Sequence, residues 1–213
     1  MVPRSAFRFV ALGDSYTIGT AVGEAERWPN QLVARLAAAL PEAPLLELVA
    51  NLAVNGWTSG DVVRDQLPAL DGLRPDFVSL LIGVNDVVQG VPAERYQASV
   101  ATILDALQLR LPADRILTVS TPDYTVTPAG ADYGDPARQS AAIRAFNAIL
   151  AGEAGARGVA HVAIHDISLR ARDDRSLVAD DGLHPSGAQY ALWIERIVPV
   201  VAGLLGRPPL IRG

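Results

Sequence analysis

Five short apolar runs, separated by segments whose apolar residues have helical spacing, constrain the fold of this chain more than any other feature. They are Phe7–Gly13, Leu45–Leu52, Phe77–Gly83, Arg115–Ser120 and Val159–Ile164. Near-continuous apolar strands are typical of sheets covered on both faces, and strands that alternate with helices favour parallel pairing with right-handed crossovers. The pattern therefore predicts an α/β fold in which helices cover both faces of a five-stranded parallel sheet.

The order of elements along the chain predicts a single domain over residues 1–213, because no repeat, linker or low-complexity tract interrupts it. One long irregular segment, residues 121–134, is rich in Pro, Gly, Thr and Tyr. Loops of this length are often lids or binding loops. A last helix is predicted from about Pro185 to Leu205, and Pro199 is expected to kink it or end it early.

Composition excludes several classes of function. The net charge is −5, all 18 positive residues are arginines, and no basic stripe is present, so a nucleic-acid partner is not expected. The absence of cysteine rules out disulfides, thiolate metal sites and a cysteine nucleophile. The N-terminal apolar run is too short for a signal peptide, and the late apolar run Ile197–Leu205 is too short to span a bilayer. We therefore expect a cytoplasmic protein without stable membrane insertion, and its oligomeric state stays open.

Polar, glycine-rich clusters follow three of the predicted strands, and a fourth precedes the last helix. They lie at residues 13–19, 51–56, 83–86 and 181–184. Ligands of open parallel sheets bind beyond the carboxyl ends of the strands. We therefore expect the four clusters to converge on one crevice.

These clusters contain the groups that acyl transfer requires. Ser15 follows the first strand, where flanking glycines permit a sharp turn that exposes a nucleophilic hydroxyl. His184 lies three residues after Asp181, so a short turn can place the carboxylate at Nδ1 and leave Nε2 as the base for Ser15. The backbone N–H groups of Ser15 and Gly56 and the amide of Asn85 would supply donors for the developing oxyanion.

The four clusters, in this order and at this spacing, resemble the motifs of the SGNH hydrolases, also called GDSL-type esterases and lipases. The resembling segments are Gly13-Asp14-Ser15-Tyr16 with Gly19, then Gly56, Gly83-Val84-Asn85-Asp86, and Asp181-Gly182-Leu183-His184-Pro185. Tyr16 replaces the commoner Leu of the first motif, which affects packing beside the nucleophile rather than the chemistry.

The resemblance implies a flavodoxin-like sheet and a serine esterase that needs no cofactor or metal. Ser15, His184 and Asp181 would form a catalytic triad, and Ser15, Gly56 and Asn85 an oxyanion hole. The expected partner is a small-molecule carboxylic ester with a short acyl or acetyl group. A lysophospholipase, an acyl thioesterase or a sugar deacetylase would use the same mechanism.

Two other classes of function stay open at this stage. Residues 15–20 resemble a flavodoxin phosphate loop, although the glycine falls one position late, so a flavin-binding protein is an alternative. A binding module without catalysis is another. The flavin hypothesis leaves Asn85 and the Asp181–His184 pair unexplained.

Several residues near these clusters have alternative interpretations. Asp180 could replace Asp181, but the spacing to His184 favours Asp181. His161 and His165 could form a metal pair on one strand face, although structural roles are expected for both.

We also expect the 121–134 segment to wall the crevice, with apolar surface contributed by the set Pro122, Tyr124, Pro128, Trp57, Val87 and Val88. Because the triad and the oxyanion donors lie outside this segment, shortening it is expected to alter acyl preference and spare acetate hydrolysis.

Overall fold

Five parallel strands form one sheet in the order β2-β1-β3-β4-β5. The computed structural model describes residues 6–39 and 46–206, and the predicted strand start at Leu45 lies outside them. The strands are β1 (Phe7–Gly13), β2 (Leu46–Asn51), β3 (Phe77–Leu81), β4 (Ile116–Val119) and β5 (Ala160–Val162). This is the flavodoxin-type strand order, and it confirms the predicted α/β fold.

Burial along the strands explains why the apolar runs were nearly continuous. Every residue of β3 and β4 is buried, as is β1 from Phe9 onward. The two edge strands, β2 and β5, are only partly buried. Both faces of the central strands are therefore covered by helices.

The helices form two groups that sandwich the sheet. Their bounds are α1 (Ser15–Ile18), α2 (Trp28–Ala39), α3 (Ser59–Asp61), α4 (Leu67–Leu73), α5 (Val84–Val88), α6 (Ala93–Gln108), α7 (Pro136–Ala156), α8 (His165–Ser168) and α9 (Gly187–Leu205). A π-helical turn, Val62–Gln66, joins α3 to α4. Helix α2 packs against α9, and α6 packs against α4 and α7.

Helix α9 does not end at Pro199, so of the two effects expected of this proline, a kink or an early end, the early end was wrong. The helix runs on to Leu205 because its buried stripe continues on both sides of the proline, with Trp193, Ile197 and Val201 in the core. Burial of such side chains offsets the roughly 3 kcal/mol cost of an interior proline. By length and composition α9 could cross a membrane, but in this fold it is a partly buried core helix.

The carboxyl ends of the parallel strands lie at one edge of the sheet, which brings three of the polar clusters together. Ser15 begins α1 directly after β1, Gly56 lies in the turn after β2, and Asn85 lies in α5 after β3. The 121–134 segment leaves β4 at the same edge.

Candidate active site

Ser15 is held at the end of β1 by an unusually constrained glycine. Gly13 has a φ of +150°, and a Cβ atom there would lie 2.3 Å from the Leu81 carbonyl oxygen, so no other residue fits. The Gln66 side chain bonds both backbone groups of Gly13, accepting from its N–H at 2.9 Å and donating to its carbonyl at 2.7 Å. Nothing in the local sequence marked Gln66, which reaches the site from the π-helical turn.

Asp14 caps the short helix that Ser15 begins. Its Oδ1 accepts from the Tyr16 N–H at 3.0 Å, while its Oδ2 is buried and has no hydrogen-bond partner among the described residues. Burial raises the pKa of Asp14 to about 8, and the Asp86 carboxylate adds to the shift against the opposing Tyr16 N–H. The Asp14 carboxyl is therefore mainly neutral at pH 7.

Asp181 orients the imidazole of His184. Its Oδ2 lies 2.6 Å from His184 Nδ1, and its Oδ1 accepts from the N–H groups of Leu183 and His184, each at 2.9 Å. Partial burial acts to raise the pKa of Asp181, but these hydrogen bonds outweigh it and lower the pKa. The structure therefore places the carboxylate of Asp181, rather than that of Asp180, against the His184 ring.

The turn that carries Gly56 is hydrogen-bonded to α5 and to the residue that follows it. Gly56 has a φ of +80°, and its carbonyl accepts from Gln89 Nε2 at 3.1 Å. Asn85 Nδ2 donates to the Trp57 carbonyl at 2.9 Å, which uses one of its two amide hydrogens. The second hydrogen is available to a ligand.

Asp86, the neighbour of Asn85 in α5, adds a further connection between α5 and the residues that follow the Gly56 turn. Its carboxylate accepts from the Ser59 N–H at 2.9 Å and from the Ser59 hydroxyl at 2.5 Å. Burial raises the pKa of Asp86, although both bonds from Ser59 oppose the shift. Gly56 and Asn85 therefore belong to one hydrogen-bonded unit.

One cavity of about 210 Å³ brings four of the five predicted site residues together: Ser15, Gly56, Asn85 and His184. Asp181 does not line the cavity and reaches it through His184. The remaining walls are mostly apolar or aromatic, with one polar residue, and come from Tyr16, Asn55, Val84, Val88, Tyr124, Tyr133 and Leu183.

The model of the GDSL-like lipase/acylhydrolase family matches residues 11–192, a range that includes all five predicted site residues. The chain belongs to that family. Membership makes the protein a carboxylic ester hydrolase and confirms the predicted enzyme class. It also explains the four motifs without a flavin.

Solved structures share the fold of this GDSL-like hydrolase. TesA is 21% identical, with 93% of this chain and 99% of that chain covered and a TM-score of 0.66. The psychrotrophic esterase EstA from Pseudoalteromonas sp. is 18% identical (94% and 99% covered, TM-score 0.69). Axe2, an acetylxylan esterase from Geobacillus stearothermophilus, is 19% identical (100% of both chains, TM-score 0.70). No curated protein matches the chain.

The apolar wall of the hydrolase differs in part from the predicted one. Tyr124 and Val88 line the cavity as expected. Val87 is buried in the core instead, and Trp57 contributes its carbonyl to Asn85 rather than its ring to the cavity. Neither predicted proline lines the cavity, whereas Tyr133 and Leu183, which sequence reasoning missed, do.

The 121–134 segment is also bonded to the turn that carries the predicted base. The Ala129 N–H donates to the Gly182 carbonyl at 3.0 Å, and Pro128 faces Gly182. The predicted triad and oxyanion residues do lie outside this segment, so the expectation that shortening it spares acetate hydrolysis stays a prediction. A shortened segment would also lose its bond to the His184 turn, so single substitutions are the better test of the wall.

The two remaining histidines lie on different elements. His161 is in β5, with Nδ1 3.0 Å from the Thr118 hydroxyl, and burial lowers its pKa. His165 begins α8, with Nε2 3.5 Å from Asp123 Oδ2. Within residues 6–39 and 46–206, no group of three or more His, Asp or Glu side chains is arranged to hold a metal ion.

Proposed function

We propose that this hydrolase is a serine esterase for short acyl esters, with Ser15 as nucleophile, His184 as general base and Asp181 as the group that orients the base. The observation that carries the proposal is the shared cavity of Ser15 and His184, together with the 2.6 Å contact between His184 Nδ1 and Asp181. That contact fixes the tautomer that leaves Nε2 free to accept a proton.

The reaction proceeds in two halves. His184 Nε2 takes the hydroxyl proton of Ser15 as Oγ attacks the ester carbonyl, and the resulting imidazolium then protonates the leaving alkoxide. The acyl group is transferred to Ser15. A water molecule, deprotonated by His184, next attacks the acyl-enzyme, which releases the carboxylic acid and restores the serine.

Three donors support the negative oxygen of each tetrahedral intermediate. The N–H groups of Ser15 and Gly56 donate to no other group among the described residues, and Asn85 keeps one free amide hydrogen. Donors that are fixed before the reaction cost no reorganisation when the charge develops. Gly56 and Asn85 are held in this way by their bonds to each other's segments.

The size of the cavity favours a short acyl group. Its volume of about 210 Å³ is below the roughly 300–1,000 Å³ of pockets that hold drug-sized ligands. Among proteins of the same fold, Axe2 is described as an acetylxylan esterase, which accords with acetyl removal. A lysophospholipase or long-chain thioesterase would need more room for its acyl chain.

A panel of aryl esters from acetate to palmitate tests the acyl preference. We expect kcat/KM to peak at short acyl length and to fall once the cavity is filled, because each buried methylene contributes up to about 0.8 kcal/mol only while space remains. A maximum at palmitate would favour the long-chain alternatives. Absence of hydrolysis across the panel would count against the esterase proposal.

Ser15→Ala tests the nucleophile and should lower kcat by about 10⁶-fold, as in other triad enzymes. A phosphonate ester should label the wild type once, at Ser15; EstA has been crystallised with a phosphonate inhibitor, and a catalytic mutant of Axe2 carries a serine-to-alanine change. Ser79→Ala is the matched control, since Ser79 is buried in β3 and its hydroxyl has no partner among the described residues. Labelling of another serine would reassign the nucleophile.

A further inference from the structure

One part of the cavity wall is built by two tyrosines of the 121–134 segment. Tyr124 and Tyr133 lie in separate 3-10 turns, Tyr124–Val126 and Gly130–Tyr133. Their rings meet edge to face, with centroids 5.7 Å apart, and both line the cavity. Tyr124 is buried, whereas Tyr133 is 42% exposed. Tyr124 is therefore the inner layer of this wall.

The phenol of Tyr124 does not fix the ring. Its hydroxyl is buried and has no hydrogen-bond partner within the part of the chain that the structure describes. Burial, with a contribution from the Asp123 charge, raises the pKa of this hydroxyl to about 12, so it stays neutral. The position of the ring depends on packing and on the backbone that carries it.

That backbone is held by the preceding residue, Asp123, whose carboxylate is buried. Oδ1 accepts from the N–H of Thr125 at 3.0 Å and from its hydroxyl at 2.6 Å, which caps the turn that carries Tyr124. Oδ2 accepts from the Ser140 hydroxyl in α7 at 2.5 Å and lies 3.5 Å from His165 Nε2 at the start of α8. The Asp123 N–H donates to Ser168 Oγ at 2.8 Å.

These contacts favour the ionised carboxylate. Burial acts to raise the pKa of Asp123, but the contact with His165 and the hydrogen bonds from Ser140 and Thr125 outweigh it and lower the pKa. Arg144 donates to Ser140 Oγ at 2.7 Å, which adds positive charge behind the donor. A buried carboxylate with several donors restricts all the groups that bond to it, and its removal leaves those donors unsatisfied.

We propose that Asp123 is a positioning residue for acyl specificity, which anchors the Tyr124 turn to α7 and α8 and so keeps the tyrosine ring as a fixed wall of the cavity. The inference rests on the proposed esterase function and adds the side chain that sets the limit on acyl size. Without the carboxylate, only the Asp123 N–H bond to Ser168 remains of these contacts, so the Tyr124 turn can move outward and longer acyl chains gain room.

The test is the ratio of kcat/KM for acetate to kcat/KM for hexanoate, measured on the full chain. Asp123→Ala should lower this ratio by roughly fourfold or more, the value of about one methylene of added room. A ratio does not depend on the concentration of active enzyme. Partial unfolding or a disturbed His184 turn reduces both rates together, so only a change in cavity shape lowers the ratio.

Two variants serve as controls. Asp123→Asn keeps an acceptor for Thr125 and should restore most of the wild-type ratio. Asp135→Ala removes a comparable cap at the other end of the segment, where Asp135 Oδ1 accepts from the Arg138 N–H at 2.8 Å in an exposed position. That variant should leave the ratio unchanged, because Asp135 does not hold Tyr124.

A double mutant shows whether Asp123 acts through Tyr124. Tyr124→Ala should lower the ratio at least as much as Asp123→Ala, and the double mutant should match Tyr124→Ala alone, since coupled residues are not additive. An additive double mutant, or an unchanged ratio in Asp123→Ala, overturns the inference while the esterase function stands. A wild type that hydrolyses no ester would defeat the proposed function instead.

Discussion

Two buried aspartates each directly precede a residue that lines the cavity, one on each side of it. Both cap a helical turn, but their carboxyl groups differ in ionisation. Asp14 caps the helix that begins with Ser15, and Asp123 caps the turn that begins with Tyr124; each accepts from an N–H two residues ahead at 3.0 Å. The second oxygen of Asp14 has no partner among the described residues, and burial raises the pKa of that carboxyl to about 8. The second oxygen of Asp123 contacts Ser140 and His165, and its pKa is lowered.

This difference in ionisation shows that the two sides of the cavity are held in place in different ways. On the Ser15 side, backbone geometry and Gly13, where no side chain fits, hold the proposed nucleophile, so a neutral Asp14 carboxyl is sufficient. On the Tyr124 side, side chains from α7 and α8 hold an irregular segment through a charged group. We therefore expect substitutions on the Ser15 side to lower the rate of hydrolysis equally for every ester. Substitutions on the Tyr124 side should instead change the relative rates for different esters.

Among the substitutions that test this comparison, the largest effect is expected at Asp181, the residue proposed to orient the base. Asp181→Asn should lower kcat by up to about 10⁴-fold for acetate and hexanoate alike, since the amide favours the wrong tautomer of His184. Asp180→Asn, an exposed neighbour, is the matched control and should change little. Steady-state kinetics on both esters checks this. If Asp180→Asn were the more damaging change, the orienting role would move to Asp180.

A smaller effect is expected at Asn85, a proposed oxyanion donor. Asn85→Ala should lower kcat by roughly 10²–10³-fold, or about 3–4 kcal/mol, and leave KM nearly unchanged, because the donor acts on charge that develops in the transition state. The loss should be equal for short and long acyl esters. A loss confined to KM, or one that differs strongly between esters, would place Asn85 in the wall rather than in the oxyanion hole.

The contrast between the two sides also explains which features could be predicted from sequence. Ser15, Gly56 and Asn85 each lie shortly after the end of a strand, so strand periodicity and glycine placement pointed to them. Asp181 and His184 are three residues apart and could be paired by spacing alone. Such features can be recognised in the sequence because each depends on residues that are close together along the chain.

Features that depend on distant contacts could not be predicted in the same way. Gln66 bonds Gly13 across 53 positions, and Ser140 and His165 reach Asp123 from two separate helices. Tyr133 lines the cavity because its turn folds back on Tyr124. The continuation of α9 through Pro199 likewise depends on core burial, which outweighs the local preference of proline.

The smallest effect concerns stability and follows from the opposite ionisation of the two aspartates. The folded-state pKa of Asp14 lies above its ordinary value of 3.8, so its contribution is fully present below pH 3.8 and is lost as the pH rises towards about 8. Asp14→Asn keeps the acceptor for the Tyr16 N–H without this loss. Its Tm should therefore rise relative to the wild type between pH 4 and pH 8, by several degrees or more.

Asp123→Asn should behave in the opposite sense. The folded-state pKa of Asp123 lies below 3.8, so its contribution is present above that pH and is lost as the pH falls through the folded-state value. The variant should melt a few degrees below the wild type at pH 7, and the difference should shrink as the pH falls below about 4. Thermal melts of both variants and the wild type from pH 3 to pH 8 measure the two slopes. If the Tm differences of the two variants from the wild type changed with pH in the same direction, the two carboxyls would share an ionisation state. The conclusion that the backbone holds one side of the cavity and a charged group holds the other would then be wrong.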